Sequence, residues 1–362
     1  EQLDGGPGGD LRRLRVIQGA GDFDITRAHV RSGTVRFNVG DSRIAVDDDD
    51  DAEDKGDDED EENEGLENKL KEEYEIIKVK NIPEFNGNVA YQYIIDQCNF
   101  GPRNPGSSGH EQFASFLESY LSPMSDQVII QDFNYIEHIT GEDRVGKNII
   151  AQFNIDANER LLIGAHWDTR AFADEDPNPE NRSIPILGAN DGASGTAILM
   201  ELANVFSKNN PPIGIDLVFF DAEDVGISGQ PATYAMGSEY FSKNLPIEKP
   251  NFAIIVDMVG DKSLKIPIER FSYQVNPEMV KEIWSLANDL GLSAFEYRVG
   301  YEIYDDHVPL WENAQIPAID IIDFDYPNLF YNYWHTQNDI PENCSPQSLY
   351  QVGTLLLNYI YD

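Results

Sequence analysis

The stretch "VFFDAEDVG", residues 218–226, begins with apolar side chains and then places three acids within four positions, Asp221, Glu223 and Asp224. Its apolar half is typical of a strand buried in a hydrophobic core. Carboxylates this close repel one another and raise one another's pKa unless a cation lies among them. The stretch therefore predicts a buried strand whose carboxyl end borders a cation site.

Two other apolar strands are predicted to end in polar residues. "LLIGAHWD" (161–168) ends with His166 and Asp168, and "FAIIVDMVG" (252–260) contains Asp257. Further strands are predicted at 127–136, 148–155, 215–224 and 318–324, and helices at 109–121, 195–208, 276–291 and 345–362. This alternation predicts an α/β fold, a three-layer α/β/α sandwich with a mixed, mostly parallel central sheet. Ligands of such sheets bind at the carboxyl ends of the strands, where these polar residues are expected.

Composition excludes some partners. The 362 residues include 18 Phe, 17 Tyr and 4 Trp, which is ample for a core, and the net charge is −39. This charge argues against binding to nucleic acid or to an anionic membrane surface, since both require an excess of Lys and Arg. No stretch reaches the roughly 18 apolar residues of a membrane span. Cys98 and Cys344 form no metal-binding spacing, and they are compatible with one disulfide or with two free thiols.

Changes in amino-acid composition along the chain predict three parts. Residues 1–46 have no assignable function. Residues 47–75 are an acidic low-complexity linker, in which positions 47–64 hold 14 acids and one base, and such a run is expected to be disordered. Residues 76–362 are predicted to form a globular domain.

Imidazole and carboxylate groups together suit zinc, and a catalytic zinc ion commonly has three protein ligands and one open position. The candidate ligands are His166, Asp168, Asp191, Glu223, Asp224, Asp257 and His335. Asp191 lies in the Gly-rich "GANDGASG" just before a predicted helix, so it could instead be only a helix N-cap. His335 could be an ordinary core histidine. Asp257 lies in so apolar a strand that its carboxylate requires a partner.

The order of the motifs "GAHWDTR", "GANDGASG", "FFDAEDVG", "VDMVGD", "YDDHVP" and "YWHTQND" resembles that of the glutaminyl cyclases, which are zinc-dependent glutaminyl-peptide cyclotransferases. The likeness is strongest to their bacterial members. It extends over residues 80–362 and includes "FGPRNPGSSGHEQ" near residue 100. These cyclases share a superfamily with the two-zinc aminopeptidases.

The resemblance implies a reaction and the residues that perform it. N-terminal glutamine of peptides or proteins would be cyclised to pyroglutamate with release of ammonia. Asp191, Asp224 and His335 would hold one zinc ion. Glu223 would act as the general acid/base, Asp257 and Asp305 would complete the polar network at the reacting group, and Trp334 would line the substrate pocket. By the same likeness the protein is expected to be exported, to the periplasm, the outer surface or the medium.

Two departures from the family pattern favour the bacterial branch. Many relatives have Glu-Glu where this chain has Glu223-Asp224, and the shorter Asp224 can still coordinate zinc. Animal cyclases carry a cysteine pair beside the site, whereas Ala165 precedes His166 here. Asp221 is expected to bond nearby backbone and to take no part in the chemistry.

Two other functions stay open. In an aminopeptidase, His166 and Asp257 would bind a second zinc ion, Asp191 would bridge the two ions, and a peptide bond would be hydrolysed. The His166-x-Asp168 pair occurs in both families, so it does not decide between them. In the second alternative, the chain is a non-catalytic peptide-binding module on the same scaffold.

Overall fold

The computed structural model describes residues 25–31, 34–39, 82–328 and 330–362. The chain divides into two compact units, Glu1–Lys80 and Asn81–Asp362. In the first unit, strands β1 (Ile25–Arg31) and β2 (Thr34–Val39) pair in antiparallel fashion. The acidic linker predicted at 47–75 lies outside the described residues, and the division into three parts stays a prediction.

A six-stranded mixed sheet forms the centre of the second unit. The strands of this unit are, in chain order, β3 (Gln127–Ile136), β4 (Asp143–Phe153), β5 (Arg160–His166), β6 (Gly214–Phe220), β7 (Phe252–Asp257), β8 (Ile266–Ile268), β9 (Phe295–Val299), β10 (Ala318–Ile322), β11 (Pro327–Asn328) and β12 (Tyr331–Asn332). The central sheet has the order β10-β7-β5-β6-β4-β3. Strands β10, β7, β5 and β6 run parallel, whereas β4 runs antiparallel to both β6 and β3. Strands β8 and β9, and β11 and β12, form two small pairs.

Helices cover both faces of this sheet. They are α1 (Gly87–Asn99), α2 (Ser108–Leu121), α3 (Ala193–Phe206), α4 (Met236–Lys243), α5 (Arg270–Val275), α6 (Pro277–Asp289), α7 (His307–Ala314) and α8 (Pro346–Tyr361). Ile149 and Ala151 of β4 point into the larger core, which contains α1, α2, α3, α6 and α8. Ile150, between them, points into a second core with Phe241 of α4 and Leu310 of α7. Because successive side chains of a strand point to opposite faces, this alternation builds the three-layer α/β/α sandwich.

The predicted fold class is confirmed, and each strand and helix predicted from the pattern is present. Strand β3 has the predicted bounds, and the other elements have shifted ends. The largest shift is at the start of β4, which begins at Asp143 and not at the predicted residue 148. Strand β6 ends at Phe220, four residues before its predicted end. Ala222 adopts a left-handed φ of 55°, so the chain turns out of the sheet before Glu223. The short helices α4, α5 and α7 were not predicted, nor was α1. None of the described helices has the length and apolar character to cross a membrane.

Candidate active site

The parallel strands bring three of the predicted residues to one edge of the sheet. His166 is the last residue of β5 and pairs in register with Phe220, the last residue of β6. Asp257 ends β7, and Glu223 follows β6 by three positions. Strands that run parallel in adjacent positions end at the same edge, so the sequence-distant residues become neighbours.

The three predicted zinc ligands converge from three different loops. Asp191, Asp224 and His335 are all buried, and each offers one ligand atom within 4.8 Å of the other two. His335 Nε2 lies 3.0 Å from Asp224 Oδ1 and 3.7 Å from Asp191 Oδ2. Within the described part of the chain, neither Asp191 Oδ2 nor Asp224 Oδ2 receives a hydrogen bond. Since a buried unpaired carboxylate oxygen is costly, this donor set fits a divalent metal ion.

A second group of possible ligands shares Asp191 with the first. His166 Nε2 lies 3.2 Å from Asp191 Oδ1 and 3.1 Å from Asp257 Oδ1, and the three ligand atoms again lie within 4.8 Å of one another. Burial opposes a charge on His166, but Asp257 and its other acidic neighbours raise the pKa of His166 well above its ordinary value. The geometry therefore has room for one ion or, with Asp191 as a bridge, for two.

Glu223 lies next to Asp224, one of the predicted metal ligands, and has a buried carboxyl group. The residue is only 8% exposed. Burial raises the pKa of its carboxyl well above the usual range, and the charges of Asp305 and Asp224 add to the rise while His166 opposes it. A carboxyl group that titrates nearer neutrality can both accept and donate a proton at physiological pH.

Two buried carboxylates fix the loops that carry these groups. Asp168 accepts hydrogen bonds from the backbone N–H groups of Glu223 at 3.0 Å and Asp224 at 3.2 Å. Asp339 accepts in the same way from Asn190 at 2.7 Å and from Asp191 at 3.1 Å. Each carboxylate thus holds two consecutive peptide units, and the second unit of each pair carries a predicted metal ligand, Asp224 or Asp191. Asp168 was one of the candidate ligands, but it belongs to none of the possible metal-binding groups of the described residues, and Asp339 was not predicted.

Arg170 and Asp174 form an outer layer behind the ligands and were also missed. Asp174 accepts two hydrogen bonds from the Arg170 guanidinium, at 2.9 and 2.6 Å, and lies 3.3 Å from His335 Nδ1. Arg170 Nη1 donates to the backbone oxygen of Asp224 at 3.2 Å and lies 3.4 Å from its Oδ1. Partners of this kind orient metal ligands and fix the tautomer of a ligating histidine. The only trace in the sequence is the arginine that ends "GAHWDTR".

Asp305 lies in a second buried polar cluster with Asp306, His307, Asp320 and Glu269. Asp305, His307 and Asp320 offer ligand atoms within 4.8 Å of one another. Burial, the charge of Asp257 and other neighbours raise the pKa of Asp305 to about 6. His307 Nε2 lies 3.3 Å from Glu269 Oε2, and its Nδ1 lies 3.8 Å from Asp320 Oδ2. This cluster carries the "YDDHVP" motif, and the charges of its members Asp305 and Asp306 both raise the pKa of Glu223.

Trp334 packs against the ligand that follows it. Its ring stacks on that of His335 with 3.6 Å between ring centroids, and it also contacts Phe324 at 5.2 Å. The residue stays partly exposed, so part of its ring is open to a ligand.

Backbone strain is concentrated in the same region. Ala222, Met258 and His335 have φ values of 55°, 49° and 54°, a conformation that side-chain-bearing residues rarely adopt. These residues precede Glu223, follow Asp257 and carry the ligand imidazole, respectively. Strain of this kind clusters at functional sites, where the surrounding structure maintains it.

The structure decides between the alternative roles predicted for Asp191 and adds a partner to Asp221. Gly192, not Asp191, occupies the N-cap of α3, so Asp191 is not a helix cap. Asp221 accepts hydrogen bonds from the backbone N–H groups of Lys147 at 2.7 Å and Ala222 at 2.8 Å, as expected. It also bonds His110 Nε2 at 2.9 Å, a partner that the sequence did not suggest.

The cysteines and Arg103 complete the surroundings of the site. Cys98 and Cys344 are both free thiols. The buried Arg103 donates to the backbone oxygens of Trp167 at 3.1 Å and Gly188 at 2.9 Å, and so joins the two ends of the long loop between β5 and α3, which also carries Asp191. This arginine belongs to the "FGPRNPGSSGHEQ" stretch, whose contribution is therefore to support the site from behind.

Comparisons with known proteins agree with this geometry. The sequence model of peptidase family M28 matches residues 148–360. The crystal structure of Tannerella forsythia glutaminyl cyclase is 38% identical, covers 77% of this chain and 99% of its own, and has a TM-score of 0.74. A structure described as a leucine aminopeptidase precursor from Bacteroides thetaiotaomicron is 34% identical, covers 78% of this chain and 99% of its own, and has a TM-score of 0.75.

Among curated proteins, the glutaminyl-peptide cyclotransferase of Boiga irregularis is 22% identical over 293 residues, which cover 72% of this chain and 77% of that protein. The relatives therefore include cyclases from bacteria and animals as well as a structure described as a peptidase. The family match and the identity to the bacterial enzymes agree with the motif order and with the mixed sheet. The chain belongs to peptidase family M28, on the branch of the bacterial glutaminyl cyclases.

Proposed function

We propose that this protein is a zinc-dependent glutaminyl-peptide cyclotransferase that converts the N-terminal glutamine of peptides or proteins to pyroglutamate. The observation that carries the proposal is the position of Glu223. Its buried carboxyl group has a raised pKa and directly precedes Asp224, one of three residues suited to bind one zinc ion. The likeness to bacterial glutaminyl cyclases at 38% identity supports the same reaction.

The proposed ligands of that ion are Asp191, Asp224 and His335. Their unpaired carboxylate oxygens and the mixed imidazole and carboxylate donor set support this assignment. A zinc ion bound there would supply Lewis acidity toward the γ-carbonyl oxygen of the substrate glutamine.

Glu223 accounts for the proton transfers of the reaction. It takes a proton from the α-amine, whose nitrogen forms a bond to the carboxamide carbon of the side chain (Cδ), and delivers that proton to the amide nitrogen, whose bond to the same carbon breaks. Ammonia leaves and a lactam remains, so atoms balance without a co-reactant. One group can serve in both directions because its pKa is raised.

Three further side chains have proposed roles in holding the substrate. The buried carboxyl groups of Asp257 and Asp305 are placed to bind the amide nitrogen, and the raised pKa of each favours a proton shared with that nitrogen. Trp334 packs against the carbon chain of the glutamine with the exposed part of its ring.

Aminopeptidase activity is the second candidate, and one observation favours it. His166, Asp191 and Asp257 form a second group with metal-binding geometry, and Asp191 belongs to both groups. Two bound zinc ions and hydrolysis of the first peptide bond are the corresponding expectations.

One assay distinguishes the two functions. Zinc-loaded protein receives a peptide that begins with Gln and a matched peptide that begins with Leu, and mass spectrometry follows both. Loss of ammonia from the Gln peptide without cleavage of either peptide is the expected result. Release of free Leu or Gln would establish the peptidase, and zinc-replete protein with no turnover of either would favour a binding module.

The place where the enzyme acts is part of the proposal and rests on family likeness alone. We propose that the protein is exported and meets its substrates outside the cytoplasm. Fractionation of the source cells with a specific antibody tests this, and protein confined to the cytoplasmic fraction would contradict it.

A further inference from the structure

The strained turn that carries Glu223 is held at its start by a buried aspartate. Asp221 directly follows β6, and its Oδ1 accepts a hydrogen bond from the backbone N–H of Ala222 at 2.8 Å. Ala222 is the residue with a left-handed φ of 55° that directly precedes Glu223. Because residues with a side chain rarely adopt this conformation, it persists only where neighbouring contacts maintain it. The position of the Asp221 carboxylate therefore affects the direction in which Glu223 leaves the strand.

The partner of this carboxylate is a histidine from a distant helix, α2. His110 Nε2 lies 2.9 Å from Asp221 Oδ1 and 3.0 Å from Asp221 Oδ2, so the N–H group faces both oxygens. Asp221 is fully buried, and His110 is 6% exposed. Burial opposes a charge on His110, but the interaction with Asp221 raises the pKa of His110 above its ordinary value. A protonated imidazole supplies the positive charge that a buried carboxylate requires.

A closed ring of contacts holds the imidazole against Asp221. The His110 ring stacks on that of Trp167, with 4.3 Å between ring centroids and 23° between ring planes. Trp167 Nε1 donates to the backbone oxygen of Lys147 at 3.2 Å. The backbone N–H of Lys147 in turn donates to Asp221 Oδ2 at 2.7 Å, which returns the ring of contacts to the partner of His110. These contacts restrict the imidazole and the carboxylate to one relative position.

The start of helix α2 is fixed in a way that places His110 beside Asp221. The hydroxyl group of Ser107, the N-cap residue, accepts a hydrogen bond from the backbone N–H of His110 at 3.2 Å and donates to the backbone oxygen of Pro102 at 2.9 Å. A Cβ atom at Gly109 would lie only 2.4 Å from the same oxygen of Pro102, so this close approach requires a glycine. The first turn of the helix is thus bonded and packed against the loop that precedes it.

From these contacts we propose that His110 is a positioning residue for the general acid/base. In this role His110 holds the Asp221 carboxylate, and Asp221 holds the turn at Ala222 that directs Glu223. Neither His110 nor Asp221 exchanges a proton with the substrate. This inference rests on the proposed cyclase function. The competing role is that of a purely structural ion pair, which would affect the stability of the protein but not the rate of the folded enzyme.

The test compares variants of the full-length, zinc-loaded protein on a peptide that begins with glutamine. His110→Phe keeps a ring that can stack on Trp167 and removes the donor to Asp221. His110→Gln keeps an N–H donor on a side chain of comparable length. Asp221→Asn and the double substitution His110→Phe/Asp221→Asn remove the partner's charge. Tyr120→Phe is the matched control, because it removes a hydroxyl contact of 2.7 Å with Tyr93 from the same helix, α2.

We expect His110→Phe to lower kcat about 10- to 100-fold and to leave KM and zinc content unchanged, because a small displacement of a catalytic group costs rate and not binding. His110→Gln should recover most of this loss. Asp221→Asn should also lower kcat, since its single acceptor oxygen cannot serve the N–H groups of both Ala222 and Lys147. The double variant should have the same kcat as Asp221→Asn, because His110 acts only through Asp221. Tyr120→Phe should keep the wild-type kcat.

The rate of ammonia release gives kcat and KM, and elemental analysis gives the zinc content. If His110→Phe does not fold, the double variant replaces it, because that variant leaves no buried charge without a partner. A wild-type kcat in folded, zinc-loaded His110→Phe or in the double variant would leave the pair a purely structural role.

The remaining outcomes overturn the inference in distinguishable ways. A further fall in kcat from Asp221→Asn to the double variant would mean that His110 acts by a route other than Asp221. Loss of zinc in proportion to the loss of rate would place the effect on the metal ligands and not on Glu223. No turnover of the glutamine peptide by the wild-type protein would remove the cyclase function and this inference together.

Discussion

A buried aspartate lies near the start of strand β6 and another lies just past its end. The two differ in whether their carboxylate oxygens have hydrogen-bond partners. Asp216, near the start, accepts hydrogen bonds at Oδ1 from Gln152 at 2.7 Å and Arg160 at 2.6 Å, and at Oδ2 from Arg160 at 3.0 Å. Asp224, just past the end, has an Oδ2 atom that no donor in the described chain reaches.

The difference separates a structural acid from one that is ready for a ligand. A buried ion pair with every oxygen bonded is complete within the protein, so it has nothing to offer a substrate. A buried carboxylate with an unpaired oxygen is costly unless a metal ion or ligand supplies the missing partner. Asp216 precedes and Asp224 follows the same apolar run. The two acids are therefore distinguished by their hydrogen-bond partners and not by the sequence pattern.

We expect the largest effect from Glu223→Gln, just past the end of β6, where Asp224 has an unpaired carboxylate oxygen. This substitution keeps the shape of the side chain and removes its ability to carry a proton. We expect the rate of ammonia release to fall about 10²- to 10⁴-fold, the usual contribution of a general acid/base. Zinc content should stay that of the wild type, as measured by elemental analysis. A variant that retains most of its rate with normal zinc content would remove Glu223 from the reaction.

Asp216→Asn and Asp224→Asn compare the two ends directly. Asp216→Asn leaves the buried Arg160 charge without its partner and should lower the free energy of unfolding by about 3–5 kcal/mol, with zinc affinity unchanged. Asp224→Asn should abolish tight zinc binding, while the stability of the metal-free protein is kept or improved because like charges are removed. Chemical denaturation in the presence of a chelator, together with zinc titration, measures both.

Equal destabilisation of the metal-free protein by the two substitutions would mean that Asp224 is also a structural acid. Retention of tight zinc binding in Asp224→Asn would exclude this residue as a ligand. In either case the proposed distinction between the two ends of the strand would fail.

The sequence predicted the sheet because apolar periodicity is local, and it predicted the neighbourhood of His166, Glu223 and Asp257 because parallel strands end together. It overextended β6, because the left-handed turn at Ala222 has no signature in an alanine. It missed Asp339, whose action is on backbone N–H groups of residues about 150 positions away. Such contacts depend on tertiary placement and leave no trace in residue spacing.

Glu269 is a satisfied acid near the site, and its stabilisation should depend on pH. Its carboxylate accepts hydrogen bonds from Phe271, Ser272 and Ile303 and lies beside His307. Burial opposes the charge, yet the interaction with His307 and these bonds lower the pKa of Glu269 to about 2. A depressed pKa stabilises the fold above the ordinary glutamate pKa, and that stabilisation is lost as the pH falls toward 2.

Accordingly, Glu269→Gln should cost about 3 kcal/mol at neutral pH, and the difference from the wild type should narrow steadily below about pH 4.5. Urea unfolding between pH 7 and pH 3 measures it. Glu175→Gln, which neutralises an exposed acid, should show no such trend. A gap between Glu269→Gln and the wild type that is independent of pH would indicate lost packing rather than a lost charge.

We expect the smallest effect from a change at Asp174. The carboxylate oxygens of Asp174 both accept hydrogen bonds from Arg170, and Asp174 acts on the predicted metal site through His335. Asp174→Asn keeps a hydrogen-bond acceptor near His335 Nδ1 and removes the negative charge that pairs with the Arg170 guanidinium. Zinc affinity should fall about 10- to 100-fold, as is typical when an outer partner of a ligating histidine is altered. The rate at saturating zinc should change little, because Asp174 orients the ligand without touching the substrate. Competition with a chelator of known affinity measures the first quantity, and Glu175→Gln again serves as the control. A lower rate with unchanged zinc affinity would mean that Asp174 acts on the reacting groups. Complete hydrogen bonding would then no longer identify an acid at this edge of the sheet as purely structural.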